Sequence, residues 1–170
     1  MNIPNHQELQ KTIDFVIQSY ASKQIYLDHS PESVKHLDKL FEDEFKNGKL
    51  KNPNGAFAEF QGLIMTGISG YLGEVVMRNS SNAKLIIDEK DESWYMNFKV
   101  EAENSWTIHP GQRVVKRMLN GSEDELYAYV LSAINYFHKP MSETSDSPTY
   151  TQEVYVREPE QTKKPWWKVW

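Results

Sequence analysis

The sequence predicts an α+β domain: three N-terminal helices, an antiparallel sheet of about four strands, one C-terminal helix, then a flexible tail. Three observations predict this. Through roughly the first 80 positions apolar residues recur at three- and four-residue spacing. From Lys84 the pattern changes to short β-favouring runs separated by charged or turn residues. Leu126, Val130, Ala133 and Phe137 then restore the helical period.

Asn5 is placed to cap a first helix that runs to about Ser22, with Leu9, Ile13, Val16, Ile17 and Tyr20 as its apolar stripe. A second start follows at Ser30-Pro31-Glu32-Ser33. Ser30 can accept from orphan backbone amides, and Pro31 occupies the first helical position, where its missing donor costs nothing. Val34, Leu37, Leu40, Phe41 and Phe45 give that helix a buried face, and Asn47-Gly48 is expected to stop it. The turn residues Asn52-Pro53-Asn54-Gly55 introduce a third helix over residues 56–79, lined by Phe57, Phe60, Ile64, Ile68, Tyr71 and Val75. It carries Gly62, Gly67, Gly70 and Gly73. Each costs roughly 1 kcal/mol relative to alanine in a helix interior, so close approach by another backbone is the expected use of some of them. The uncharged run over residues 60–73 is too short to span a bilayer and is expected as a buried core helix.

Four strands are expected over residues 84–88, 93–100, 105–108 and 113–119. Ser122 and Glu125 then form a capping box for the last helix, which ends near His138. Residues 1–140 are therefore expected to form one domain. Residues 141–170 are expected to form a polar tail rich in Ser, Thr and Pro. That tail ends in Trp166-Trp167-Lys168-Val169-Trp170, three of the five tryptophans. It supports several readings. The indoles can fill a groove on the domain or on a second copy, sit with Lys163, Lys164 and Lys168 at a membrane surface, or form a peptide that another protein recognises.

Composition excludes more than it assigns. The chain has no cysteine, which removes disulfides, thiolate metal sites and cysteine nucleophiles. Its net charge of −5 argues against nucleic-acid binding through a basic face. The first residues lack the basic-then-apolar pattern of a secretory signal, so a cytoplasmic location is expected. The histidines at 6, 29, 36, 109 and 138 have no metal-ligand spacing, and the glycines do not follow a phosphate-cradling pattern, so no metal or cofactor is expected.

Two segments carry a resemblance. Leu27-Asp28-His29-Ser30-Pro31-Glu32-Ser33, with Leu37-Asp38 a turn later, resembles the LDxSPxS…LD opening of a group of uncharacterised bacterial domains. Gly70-Tyr71-Leu72-Gly73-Glu74-Val75 resembles their GxYxGEV helix. The resemblance covers residues 10–138. It implies a tryptophan-bearing strand (Trp94 or Trp106), a turn at Pro110 and a basic strand with Lys116-Arg117 before the last helix. It implies no catalytic residue. Met77-Arg78-Asn79-Ser80-Ser81 departs from the glycine-rich turn of that pattern.

Within the domain Glu74 is the leading candidate. It shares a helix face with Gly67 and Gly70, and a carboxylate held where another element packs closely needs a partner, for which Arg113, Lys116 or Arg117 is expected. The same three basic residues can instead receive an anionic ligand. His29, just before a helix cap, reads as a loop residue. The expected function is non-enzymatic: a binding or adaptor protein, possible in a toxin-neutralising form because an acidic domain can cover a basic partner. It would act through Glu74, Arg113, Lys116, Arg117 and the docking residues Trp166, Trp167 and Trp170, on another protein or a second copy. A peripheral membrane protein and a hydrolase-like enzyme built on Glu74 and His109 are the alternatives.

Overall fold

Leu9, Ile13 and Val16 form the buried face of the first helix, α1 (Pro4–Ala21), in a computed structural model that describes residues 4–81 and 83–138. Ser30 accepts from the Ser33 amide at 3.2 Å, as its sequence context predicts, although Pro31 opens a single 3-10 turn (Pro31–Ser33) before α2 (Val34–Glu44). Val34, Leu37 and Phe41 face inward from α2. α2 ends at Glu44, ahead of the expected stop, and Phe45 is already extended, so Asn47-Gly48 lies beyond the helix. Both residues have positive φ, 51° and 71°. They form the two-residue turn of a hairpin, β1 (Phe45–Lys46) with β2 (Lys49–Leu50), in which Lys46 pairs with Lys49.

The expected helix over 56–79 is divided into α3 (Ala56–Glu59) and α4 (Gln61–Arg78), with Phe60 between them at φ −112° and ψ 22°. From Met65 to Val76 every residue of α4 except Glu74 is buried. A helix apolar on all sides belongs at the centre of a fold, and α4 lies there. On one side Gly67 lies against Thr12 and Val16, and Gly70 against Leu9 and Ile13, so α1 and α4 run in opposite directions at close range. On another side Gly73 meets Phe98, Val100 and Pro110.

The second half of the domain is more helical than its residue pattern predicts. It comprises β3 (Ala83–Ile86), α5 (Trp94–Asn97), β4 (Lys99–Ala102), β5 (Thr107–Ile108), α6 (Pro110–Asn120), a 3-10 turn (Gly121–Asp124) and α7 (Leu126–Phe137). The three strands form one antiparallel sheet in sequence order, with Leu85 opposite Val100 and Val100 opposite Ile108. The architecture is thus mixed helix and sheet as expected, but its details need correction. The sheet has three strands and the hairpin stands apart, while the described residues hold seven α-helices. Trp94 opens a helix, so only the end of the expected 93–100 strand is extended. Residues 113–119, including the expected basic strand, belong to α6. Pro110 sits at the first helical position, where its fixed φ suits a helix, and Val114 and Arg117, three apart, bury one face. The adjacent valines mimic a strand locally; the spacing of the buried positions is helical.

Gly67 supplies a test of the α1–α4 contact. A Cβ there would meet the backbone carbonyl oxygen of Thr12, which cannot rotate away. Gly67→Ala should therefore destabilise by about 1–3 kcal/mol in urea unfolding, where an unhindered helical glycine would gain about 1 kcal/mol. A stabilised variant would mean that the two helices do not pack at this distance.

Candidate functional site

Two clusters hold two of the polar residues that the sequence singles out, Arg117 in one and Glu74 in the other, and each is built on a buried helix face. The first centres on Asp38. Its carboxylate, on α2, accepts from Arg117 Nε at 2.8 Å and from the backbone amides of Leu126 at 2.9 Å and Tyr127 at 2.9 Å. Arg117 Nη2 also reaches the Asp38 carbonyl at 3.0 Å and Glu42 Oε1 at 3.5 Å. The Arg117 side chain is only 2% exposed. One acid thus neutralises a buried guanidinium from α6 and supplies the first amides of α7 with acceptors. The expected Ser122/Glu125 capping box is not what starts α7. Its capping position is Glu125, whose side chain makes no cap bond, and Asp38 caps from another helix.

The second cluster brings together the loop around His29 and the α4 segment around Tyr71. His29 adopts a left-handed backbone, φ 64°, in the loop before α2. This lets both its main chain and its side chain face α4. Its amide donates to Tyr71 Oη at 2.9 Å, its carbonyl accepts from Asn79 Nδ2 at 2.8 Å, and its Nε2 lies 2.7 Å from Glu74 Oε2. Ser33 Oγ donates to the Ser30 carbonyl at 2.6 Å and lies 2.6 Å from Tyr71 Oη. A hydroxyl has one proton, so the direction of the chain follows: the His29 amide donates to Tyr71, Tyr71 to Ser33, and Ser33 to the Ser30 carbonyl. Asp28 completes the loop, accepting from the Ser30 amide at 2.9 Å and the Ser30 hydroxyl at 2.6 Å. Those bonds hold its carboxyl below the usual carboxylate range.

Glu74 therefore finds its partner in His29, with Arg78 one turn along α4 at 3.4 Å, rather than in the three basic residues expected from the sequence. The His29 and Glu74 side chains are each 14% exposed, so the pair sits just below the surface. Arg113 instead pairs with Asp124 and lies over the Tyr129 ring, its guanidinium carbon 4.5 Å from the centroid. Arg117 is held by Asp38, and Lys116 is exposed. No anion site joins the three. Trp166, Trp167 and Trp170 lie outside the described residues.

His109 stands at the start of α6, and its Nδ1 is buried without a hydrogen-bond partner. Burial first, and then the charge of Lys99, push its pKa down. Elsewhere, Phe41, Phe45, Met118 and Leu119 line an open groove of about 610 Å³ between the hairpin and the end of α6. Leu119 is 52% exposed there. His29, Tyr71, Ser33 and Asn79 are the residues that sequence reasoning missed.

Comparison with known proteins adds no assignment: no family profile, no curated protein and no solved structure matches the chain.

Two outcomes test these clusters. Asp38→Ala leaves a buried guanidinium uncompensated and should cost about 3–5 kcal/mol in urea unfolding, with loss of helical signal before the sheet melts. A cost no larger than that of a surface change would remove Asp38 from this role. The second outcome concerns alkaline pH. Burial is the first cause raising the phenols of Tyr20, Tyr71 and Tyr129, so each keeps its proton above the ordinary value near 10. The unfolded chain loses those protons near pH ~10. Their contribution to stability is complete below that pH and is lost as the pH rises beyond it. In an ultraviolet titration these three phenolates should appear only together with the loss of circular dichroism. Titration of all nine tyrosines in the ordinary range, with the helices intact, would contradict the burial.

Proposed function

We propose that this chain is a non-enzymatic binding or adaptor protein in which residues 4–138 form a carrier and the segment Trp166–Trp170 docks on another protein or on a second copy. The observation that carries this reading is the directed hydroxyl chain. Ser33 gives its proton to a backbone carbonyl and Tyr71 gives its own to Ser33, so neither is available to a base. Asp38, Arg117, Arg113 and Glu74 likewise meet partners within the domain. Groups so committed to one another stabilise the domain, which supports the reading of residues 4–138 as a scaffold.

The acidic balance of −5 suits a basic partner, and the toxin-neutralising version of the proposal rests on that charge. The segment itself combines indoles, which bury roughly 200 Å² each, with Lys163, Lys164 and Lys168. The membrane-surface and hydrolase-like readings remain as the outcomes that would replace the proposal.

The experiment compares the full chain with its Trp166→Ala/Trp167→Ala/Trp170→Ala variant by sedimentation, by co-flotation with anionic vesicles and by capture from a lysate. The proposal expects self-association or specific capture that the variant loses. Loss of flotation alone would replace it with membrane attachment, and unchanged behaviour in all three assays would overturn it. Glu74→Gln is the enzyme control: a stable variant that loses a hydrolytic activity shown by the full chain would replace binding with catalysis.

A further inference from the structure

The chain contains three Asn-Gly pairs, at 47–48, 54–55 and 120–121, and the structure treats them differently. In such a pair the glycine amide nitrogen can attack the asparagine side-chain carbonyl carbon, because glycine offers no Cβ to obstruct the approach. Two of the three glycine amides are already committed. The Gly55 amide donates to the Asn52 carbonyl at 3.1 Å. The Gly121 amide donates to the Arg117 carbonyl, and the Asn120 side chain is held by Asp124 at 2.7 Å. Among the described residues the Gly48 amide has no acceptor, as expected at the tip of a two-residue hairpin, where only the flanking pair completes the ladder.

Charge separates the sites further. Attack requires the glycine amide to give up its proton, so the reacting species is anionic and nearby cations favour it. Lys46 and Lys49 are exposed and directly opposite each other across the hairpin, and Lys51 follows with its ammonium on the Glu42 carbonyl at 2.6 Å. The acids nearest in the chain are Glu42, Asp43 and Glu44 at the end of α2, of which Asp43 pairs with Lys39 at 3.3 Å and Glu42 reaches toward Arg117 at 3.5 Å. The 120–121 pair instead precedes Glu123 and Asp124, which oppose the anion.

We propose that Asn47 is a site of spontaneous covalent modification, an asparagine that converts to aspartate and isoaspartate through a cyclic imide with Gly48. A bond forms between the Gly48 nitrogen and the Asn47 side-chain carbonyl carbon, and the bond from that carbon to the amide nitrogen breaks. The proton lost from Gly48 passes through solvent hydroxide and water, and the departing nitrogen leaves as ammonia. Water then adds across one of the two imide C–N bonds. Opening on one side gives aspartate; opening on the other leaves the backbone running through the former side chain. No electrons are transferred.

Asn47 must leave its left-handed conformation for the nitrogen to reach the carbon. A hairpin of two residue pairs opens at little cost, so the fold does not prevent this. The aspartate product is placed well, since a carboxylate beside Lys46 and Lys49 offsets the repulsion of two like charges set directly across a ladder. Asn47 and Gly48 also line the groove of Phe41, Phe45, Met118 and Leu119, so conversion places a new negative charge on its rim. The isoaspartyl product also lengthens the turn where Gly48 lies against Leu119.

The test incubates the folded full chain in mildly alkaline buffer and follows the three sites by peptide mapping that resolves isoaspartate. Asn47 should convert first. In a Lys46→Gln/Lys49→Gln variant its rate should fall about four-fold, about two-fold for each charge removed at roughly 6 Å in salt, while the other two sites keep their rates. Asn47→Gly keeps the turn and should abolish the early conversion. Earlier conversion at Asn54 or Asn120, or an unchanged rate at Asn47 in the lysine variant, would overturn the proposal.

Discussion

The carboxylate of Asp38 is the point on which the helical half of the domain depends. It lies on α2, holds the buried guanidinium of Arg117 on α6, and accepts the opening amides of α7. Each partner needs it. A buried guanidinium without a counter-charge is costly, and amides at a buried helix start without acceptors are costly too. The two needs are met by one side chain, so α2, α6 and α7 cannot shift relative to one another without breaking several charge-assisted bonds at once. The ladder of apolar contacts around it, from Leu37 and Phe41 to Val114, Leu126 and Val130, is non-directional and would tolerate sliding. The polar centre supplies the register that those contacts lack.

A second constraint acts at α4. Its Gly67 and Gly70 let α1 approach closely, and the same helix presents Tyr71 and Glu74 to the loop before α2. The left-handed His29 is what makes this arrangement possible, because a single residue there offers an amide, a carbonyl and an imidazole to the same helix. The His29 ring also lies 4.9 Å from the Tyr71 ring, centroid to centroid. Helix and loop are thereby locked by groups that are individually weak and mutually satisfied. The loop around His29 and the α4 segment around Tyr71, some forty residues apart in the chain, thus form one structural unit.

Much of the first half was legible in the sequence because its signals are local. The stripe of α1, the Ser30-Pro31 start and the uninterrupted apolar character of α4 each depend on near neighbours. The second half was read less well for the opposite reason. Residues 113–119 carry two adjacent β-favouring valines, and it is the burial of Val114 and Arg117, three apart, that displays the helical period there. The site shows the same division. Glu74 stood out because a carboxylate on a glycine-lined face needs a partner, but no local rule could choose His29 over Arg113 or Arg117. His29 was read as a loop residue, which it is; that the loop lies on α4 is a tertiary fact.

By itself the sequence determined the mixed helix-and-sheet character, the central buried helix, the close approach that its glycines permit, and the absence of cysteine chemistry. It placed a helix stop at Asn47-Gly48, which the structure makes the turn of a hairpin. Only the tertiary structure decided which acid meets which base, that Asp38 rather than a local capping box starts α7, and that the amide of Gly48, unlike those of Gly55 and Gly121, is left unpaired among the described residues. The physical reason is range. Periodicity, capping and turn propensity act over a few residues, whereas the pairing of buried polar groups is settled by which surfaces the apolar core brings together, across separations of 45 residues for His29–Glu74 and 79 for Asp38–Arg117.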